Sequence, residues 1–128
     1  MAISTLKKRV EFLWVRDGRR WSTPAFVLEA RSRPARPHTS PVTAGARFGF
    51  TVTKKIGGAV VRNRVRRRLR ALTAGLDPTQ VRPGFDYVLI ARSGAISRTF
   101  PELKADLEQA LSRVHQPQAN KRRGPKTA

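Results

Sequence analysis

The 128-residue sequence contains no cysteine, and it has only 8 acidic residues beside 27 lysines and arginines. Without cysteine the chain can form neither disulfides nor thiolate metal sites. It also lacks the run of about 18 apolar residues that a membrane-spanning helix needs. Its first residues lack the apolar core of a secretion signal. We therefore expect a cytoplasmic protein that does not associate with membranes.

Acidic residues are scarcest in the middle of the chain. From Ala30 to Gln80 the only acid is Asp77, whereas the segment from Arg31 to Arg70 holds twelve lysines and arginines. A surface with this bias, in a chain of formal net charge +19, attracts polyanions. Nucleic acid is the leading candidate partner. An anionic membrane surface is a weaker alternative, because no lipid anchor or wide apolar helix face is present.

The usual residue constellations of an enzyme are also missing. Two-metal nuclease chemistry needs clustered carboxylates, and no pair of acids is spaced to face the basic region. Asp77 and Asp86 are interpreted as turn and strand-end residues, and Glu11 has no evident partner. His38 lies in a proline-rich loop and His115 at a helix end, where solvent exposure is expected rather than catalysis. We predict no catalytic residue and no metal ligand in the protein.

The most basic stretch is residues 54–70, where eight of seventeen residues are lysine or arginine and none is acidic. Val61, Val65 and Leu69 recur every four residues, which predicts one apolar face of a helix that starts near Ala59. Arginines fill the remaining surface, and like charges at helical spacing weaken an isolated helix by roughly a few tenths of a kcal/mol per pair. We interpret this charged face as one that meets an anion.

The pattern of the whole chain predicts the order α-β-β-α-β-α within a single domain at residues 1–115. A basic, proline-rich loop at 32–45 is expected to join two antiparallel strands, and 116–128 to form a disordered basic tail. The apolar third strand is expected to be central and covered on both faces. The predicted strands are 24–31, 46–54 and 85–92, and the predicted helices are 4–17, one from Ala59 and one opened by a capping box at Thr99-Phe100-Pro101-Glu102.

Two features near the basic segment leave alternatives open. Along the second strand Phe48, Phe50 and Val52 are expected to face the core. The opposite face, with Arg47, Gly49, Thr51 and Thr53, is small and polar, so it is either an ordinary solvated face or a floor on which a nucleotide strand lies. From its spacing alone, Phe12 is interpreted as a core residue at the edge of the first helix.

The motifs Lys54-Lys55-Ile56-Gly57, Ala59-Val60, Arg62-Asn63-Arg64 and Arg66-Arg67 resemble the signature of bacterial ribonuclease P protein subunits. The resemblance extends over most of the chain and leaves out only the 32–45 loop and the tail. It implies an α/β (α+β) two-layer sandwich with a mixed central sheet. It also implies that the arginine-rich helix forms an unusual left-handed βαβ crossover, contrary to the usual right-handed rule.

The resemblance also implies a division of labour. A large RNA would be the catalyst, would bind Mg²⁺ and would remove the 5′ leader from precursor tRNA. The protein would bind ribonuclease P RNA and precursor tRNA with its leader, would hold no cofactor itself and would require no protein partner. The implied contacts with the catalytic RNA are Arg62, Asn63, Arg64, Arg66, Arg67 and Arg70. The implied leader-binding cleft consists of Phe12, Thr51, Thr53, Lys54 and Lys55, so the resemblance favours base stacking for Phe12.

Three positions depart from the family pattern: Gly58 replaces a common asparagine, and Arg16 and Glu29 replace aromatic residues. The two lost aromatics imply leader binding that relies more on charge. The main alternative function is a ribosomal or other structural RNA-binding protein without a role in tRNA processing. A protein-only nuclease is opposed by the missing carboxylate cluster, and a DNA-binding helix by the absence of a helix-turn-helix partner.

Overall fold

A mixed sheet of six strands organises the protein. The computed structural model describes residues 4–6, 9–33, 45–116 and 120–121. Three long helices pack on the sheet, and a 3-10 turn at Pro78–Gln80 precedes the fifth strand. The elements are β1 (Ser4–Thr5), α1 (Arg9–Arg16), β2 (Arg19–Ser22), β3 (Phe26–Ser32), β4 (Arg47–Thr51), α2 (Ala59–Ala74), β5 (Phe85–Ala91), α3 (Gly94–Ser97), α4 (Phe100–Val114) and β6 (Asn120–Lys121).

The strands lie in the order β1-β4-β5-β3-β2-β6. β5 pairs in parallel with β4 and antiparallel with β3, so β3 and β4 run in opposite directions with β5 between them. The predicted mixed α+β architecture and the central position of the third long strand are confirmed. The left-handed sense of the β4-α2-β5 connection stays a prediction.

Two short stretches differ from the sequence expectations. Ser4 and Thr5, which were predicted to open the first helix, instead pair in parallel with β4 as β1, and the helix begins at Arg9. The strand β2 was not predicted; it pairs antiparallel with β3 along its whole length. Both stretches take strand geometry from a partner strand, which is distant in sequence for β1 and adjacent for β2, because their own sequence carries no strand pattern.

Most of the two predicted irregular segments lies outside the described residues. Of the 32–45 loop, Ser32 ends β3 and only Arg33 and Gly45 are otherwise described. Of the 116–128 tail, Gln116 and Asn120–Lys121 are described, and the latter pair forms β6 against β2.

Each face of the sheet carries its own apolar cluster. On one face α2 and α4 pack on the larger cluster, in which Phe48, Tyr87 and Leu89 are buried. On the other face α1 packs over Val88 through its buried Val15. This alternation along β5 follows from the two-residue period of a strand. Within the described residues no helix is long and apolar enough to cross a membrane.

The predicted capping box opens α4. The Thr99 hydroxyl accepts a hydrogen bond from the backbone N–H of Glu102, and the Glu102 carboxylate accepts one from the backbone N–H of Thr99. These backbone and hydroxyl contacts, with a smaller contribution from Arg98, lower the pKa of Glu102 below its ordinary value. The helix therefore begins where the local sequence predicts it.

His115 is half-buried, so the expectation that it is exposed was wrong; His38 lies outside the described residues. The Tyr87 oxygen accepts a hydrogen bond from the Arg82 backbone N–H and lies 2.8 Å from His115 Nε2. Burial raises the pKa of Tyr87 to about 12. Burial, together with the charges of Arg82 and Arg19, lowers the pKa of His115 to about 4, so that the ring is neutral near pH 7.

A buried carboxylate joins four parts of the fold. Asp86, which is 1% exposed, accepts hydrogen bonds from Arg47 Nε and Nη2 at 2.9 and 2.7 Å and forms an ion pair with Arg33. Arg47 also donates from Nη1 to Glu11 Oε2 at 2.7 Å. The hydrogen bonds to Asp86, helped by Glu11 and opposed by burial, raise the pKa of Arg47. Arg33 donates to the carbonyl of Gly45 as well, so this network also links the end of β3 to the residues just before β4.

We expect Asp86→Asn to lower the free energy of unfolding by about 3–5 kcal/mol, because it leaves two arginines without their buried carboxylate. Urea denaturation followed by circular dichroism measures the change. Asp17→Asn is the matched control: that carboxylate is 59% exposed and 3.9 Å from Arg31, so its loss should cost about 1 kcal/mol at most. Equal losses for the two variants would contradict this role for Asp86.

Candidate nucleic-acid interface

The helix α2 has the two faces that its sequence predicts. Val65, Leu69 and Leu72 are buried in the core, and the first turn contains no acidic residue. Among the described residues, no acid forms an ion pair with the opposite surface. That surface carries all six side chains that were predicted to contact catalytic RNA: Asn63, Arg64, Arg67 and Arg70 are exposed, and Arg62 and Arg66 are partly buried.

Arg68 has a different role from its neighbours. Its Nη1 donates to the carbonyls of Ala95 and Ile96 at 3.0 and 3.2 Å, and its Nη2 donates to the carbonyl of Arg98 at 2.5 Å. These carbonyls lie at the C-terminal end of α3, where the last carbonyls of a helix have no partner within the helix and a cation is favourable. Arg68 therefore fastens α3 to α2.

The turn before α2 exposes basic side chains and helix amides together. Lys54 and Lys55 are exposed. Gly57 has φ +154, and a Cβ there would lie 3.1 Å from Val61. Gly58 is the N-cap and offers no side chain to cap the helix. Free amides at a helix N-terminus attract anions, so the departure at Gly58 leaves this end open to one.

Phe12 lies on the sheet, directly over a glycine. A Cβ at Gly49 would be 2.6 Å from the ring atoms Cε2 and Cζ of Phe12 and 3.1 Å from Leu6 Cβ. Only glycine at this position therefore leaves room for the Phe12 ring to lie against the strand. The adjacent ion pair between Glu11 and Arg47 holds α1 over the same strand. The structure therefore gives a reason for glycine in β4 and for the position of the Phe12 ring.

A cavity of about 330 Å³ opens beside Phe12. Thr51 lines it too, so two of the five predicted cleft residues are brought together there. Thr53, Lys54 and Lys55 are exposed beyond the end of β4 and do not line the cavity. The two lysines belong to the short connection 52–58, which leads from the Thr51 end of β4 to α2.

The polar face of β4 is not the open floor that was one of the two interpretations. Arg47 is held by Glu11 and Asp86, and Gly49 is buried beneath Phe12. Because α1 covers this part of the strand, only the Thr51 end remains accessible. Asp86 is the second residue of β5, as its interpretation as a strand-end residue implies. Glu11, for which the sequence showed no partner, pairs with the distant Arg47.

Two basic residues line the cavity wall: Arg9, which sequence reasoning did not assign to the site, and Arg16, which it named only as a departure from the family pattern. Both lie on α1, one on each side of Phe12 along the helix, and their spacing from Phe12 was the signal that could have revealed them. Glu29 also lines the cavity and is 1% exposed. The wall at Arg16 thus offers positive charge where the family pattern has an aromatic ring.

The fold and this surface define a class, a basic α+β protein with an arginine-rich face suited to a polyanion. Among the described residues no three histidine, aspartate or glutamate side chains are grouped to hold a metal ion. The chain belongs to the ribonuclease P protein family, because the family model described as Ribonuclease P matches residues 2–115.

Relatives of high similarity agree with this assignment. The ribonuclease P protein component of Ruegeria pomeroyi is 44% identical over 116 residues, which cover 90% of this chain and 89% of the relative. The component of Gluconacetobacter diazotrophicus is 47% identical over 110 residues, covering 85% of this chain and 89% of the relative.

Solved structures share the fold. The RNase P protein from Thermotoga maritima superposes with a TM-score of 0.70 at 24% identity, covering 88% of this chain and 99% of that one. A mutant RNase P protein of Staphylococcus aureus gives a TM-score of 0.67 at 25% identity, with 84% and 85% covered. The Thermotoga comparison supports the architecture alone.

Proposed function

We propose that this protein assists a catalytic RNA in removing the 5′ leader from precursor tRNA in the cytoplasm. The observation that carries the proposal is the acid-free arginine face of α2, close in sequence to a cavity lined by Phe12 and Thr51. Only the seven residues 52–58 separate Thr51 from the start of α2. The arginine face docks on the phosphates of ribonuclease P RNA. The cavity binds the single-stranded leader of the precursor tRNA.

The chemistry of hydrolysis belongs to the RNA in this proposal. Mg²⁺-dependent cleavage of a phosphodiester needs ligands that position the ions and the attacking water. The RNA supplies these ligands and the Mg²⁺, and the protein holds no metal of its own. The arginines of α2 lower the repulsion between RNA phosphates that come close together, which favours the folded RNA at low Mg²⁺.

Leader binding combines stacking with charge. A single-stranded base that stacks on an aromatic ring gains about 1–3 kcal/mol, and the Phe12 ring is partly exposed at the cavity. Arg9 and Arg16 lie on the same wall and attract the leader phosphates. Lys54 and Lys55 extend the basic surface from the cavity toward α2.

Reconstitution tests the proposal directly. Precursor tRNA is incubated at low Mg²⁺ with the protein alone, with bacterial ribonuclease P RNA alone and with both. We expect rapid release of the leader only when both are present. Cleavage by the protein alone would make it the nuclease, and no stimulation of the RNA would favour a structural RNA-binding protein.

We expect Arg64→Gln to weaken binding to ribonuclease P RNA and to reduce the slope of log K against log salt by about 0.7–0.9, the loss of one phosphate contact. Filter binding at several salt concentrations measures both quantities. Lys104→Gln is the matched control, since it removes the same charge from the exposed surface of α4. A slope for Arg64→Gln equal to that of the control would exclude a phosphate contact at Arg64.

We expect Phe12→Ala to weaken binding of precursor tRNA more than binding of mature tRNA, because only the precursor has a base to stack on the ring. Gly49→Ala should act in the same direction, since its methyl group displaces the ring without removing it. Val10→Ala is the control on the same helix, as Val10 is 67% exposed. Equal losses for precursor and mature tRNA would mean that Phe12 is only a packing residue.

A further inference from the structure

A second basic cavity, the Arg82 cavity, lies at the other end of the sheet. It has a volume of about 410 Å³, within the range of small-ligand sites, and its charged lining includes Arg19, Arg31, Arg82 and one carboxylate, Asp17. Neither the arginine helix nor the Phe12 cavity contributes a residue to it. The proposed function therefore leaves this concentration of arginines unexplained.

The strand register separates the two cavities. Phe85, the first residue of β5, lines the Arg82 cavity and pairs with Ser32. Thr51, which lines the Phe12 cavity, pairs with Ile90 near the end of β5. Five residues of strand span about 16–17 Å. A single nucleotide cannot occupy both cavities, but a longer RNA can reach both.

The three arginines are positioned to different degrees. Arg31 stacks 3.4 Å over the Trp14 ring and donates to the Trp14 carbonyl at 3.0 Å. Arg19 Nη1 donates to the carbonyl of Gln116 at 3.1 Å. Arg82 is exposed, and its side chain forms no ion pair with any described acid. Two guanidinium groups are thus held in place while the third is available to close on a ligand.

The charge balance of this cavity favours an anion. Asp17 is the one acid in the lining, and it is 3.9 Å from Arg31, so two positive charges remain in excess. The rings of Phe85 and His115 also line this cavity, and they pack edge to face with their centroids 4.8 Å apart. An apolar wall lowers the local dielectric and strengthens the attraction between guanidinium groups and an anion.

We propose that the Arg82 cavity binds a backbone phosphate of RNA, so that this protein contacts RNA at both ends of its sheet. The inference rests on the proposed function for the identity of the anion. Guanidinium groups match phosphate oxygens with paired hydrogen bonds. RNA is the source to which the net charge of the whole chain points, and free phosphate is the alternative source of the same chemistry.

Salt-dependent binding tests the inference. Arg82→Gln should reduce the slope of log K against log salt by about 0.7–1 for ribonuclease P RNA or for precursor tRNA, measured separately. Arg82→Glu should reduce it further, because it places a negative charge where the phosphate binds. Lys104→Gln should leave both slopes unchanged. An Arg82→Gln protein with unaltered slopes for both RNAs would overturn the inference.

Inorganic phosphate distinguishes the two sources. It is titrated into the full-length protein while the NMR signals of the His115 ring are followed, with the same titration of Arg82→Gln as reference. Signals that move at millimolar phosphate, together with unaltered RNA slopes for Arg82→Gln, would make this a site for free phosphate and overturn the RNA assignment. A reduced slope of log K against log salt for the Arg82→Gln protein supports the RNA assignment.

The Arg64→Gln protein separates this inference from the proposed function. If Arg64→Gln lowers the slope of log K against log salt and Arg82→Gln does not, the assignment of the Arg82 cavity to RNA is wrong and the docking role of α2 stands. If only Arg82→Gln lowers this slope, the Arg82 cavity stands as an RNA site and the docking role of α2 fails.

Discussion

The ion pair between Arg47 and the buried Asp86 is the interaction on which the rest of the structure depends. These residues are register partners in the parallel pairing of β4 and β5, and their side chains meet on the face that α1 covers. Glu11 extends the pair to α1, and Arg33 extends it to the end of β3. A charge network of this kind is sensitive to position, because a shift of one residue along either strand would move one partner to the opposite face. The network thereby sets the position of α1 over β4 and places the Phe12 ring above Gly49.

The few acids of the chain all serve its own structure. Asp106 accepts two hydrogen bonds from Arg98, and Asp77 accepts hydrogen bonds from Thr79, which lower its pKa. All eight acids of the chain lie within the described residues and each has an interaction there: Glu11, Asp17, Glu29, Asp77, Asp86, Glu102, Asp106 and Glu108. None is placed against the arginine face of α2. Four of the acids, Glu11, Asp17, Asp86 and Asp106, form ion pairs with arginines that all lie outside α2, so among the described residues the positive charge of the α2 face is not neutralised.

Local signals made part of this structure predictable. The Thr99 capping box and the spacing of Val65 and Leu69 specify helices through contacts within a few residues, and both helices begin as expected. β2 was missed because Arg19–Ser22 has no alternation of apolar residues; its strand geometry comes from pairing with β3. The Phe12 cavity was predictable only in part, since the resemblance indicated Phe12 and Thr51, whereas the cover that α1 places over Gly49 depends on Arg47 and Asp86, which are far apart in sequence.

The roles of neighbouring arginines show why the remainder could not be read from sequence. Arg66, Arg67 and Arg68 are consecutive and chemically identical, yet successive side chains on a helix point about 100° apart. Only the direction of Arg68 meets the carbonyls at the end of α3, while Arg67 faces solvent and Arg66 donates to Asn63. The difference lies in the position of α3, which follows β5 in the chain and packs against α2 on the side that Arg68 faces. A basic helix therefore divides into a structural and a recognition surface only once its neighbours are in place.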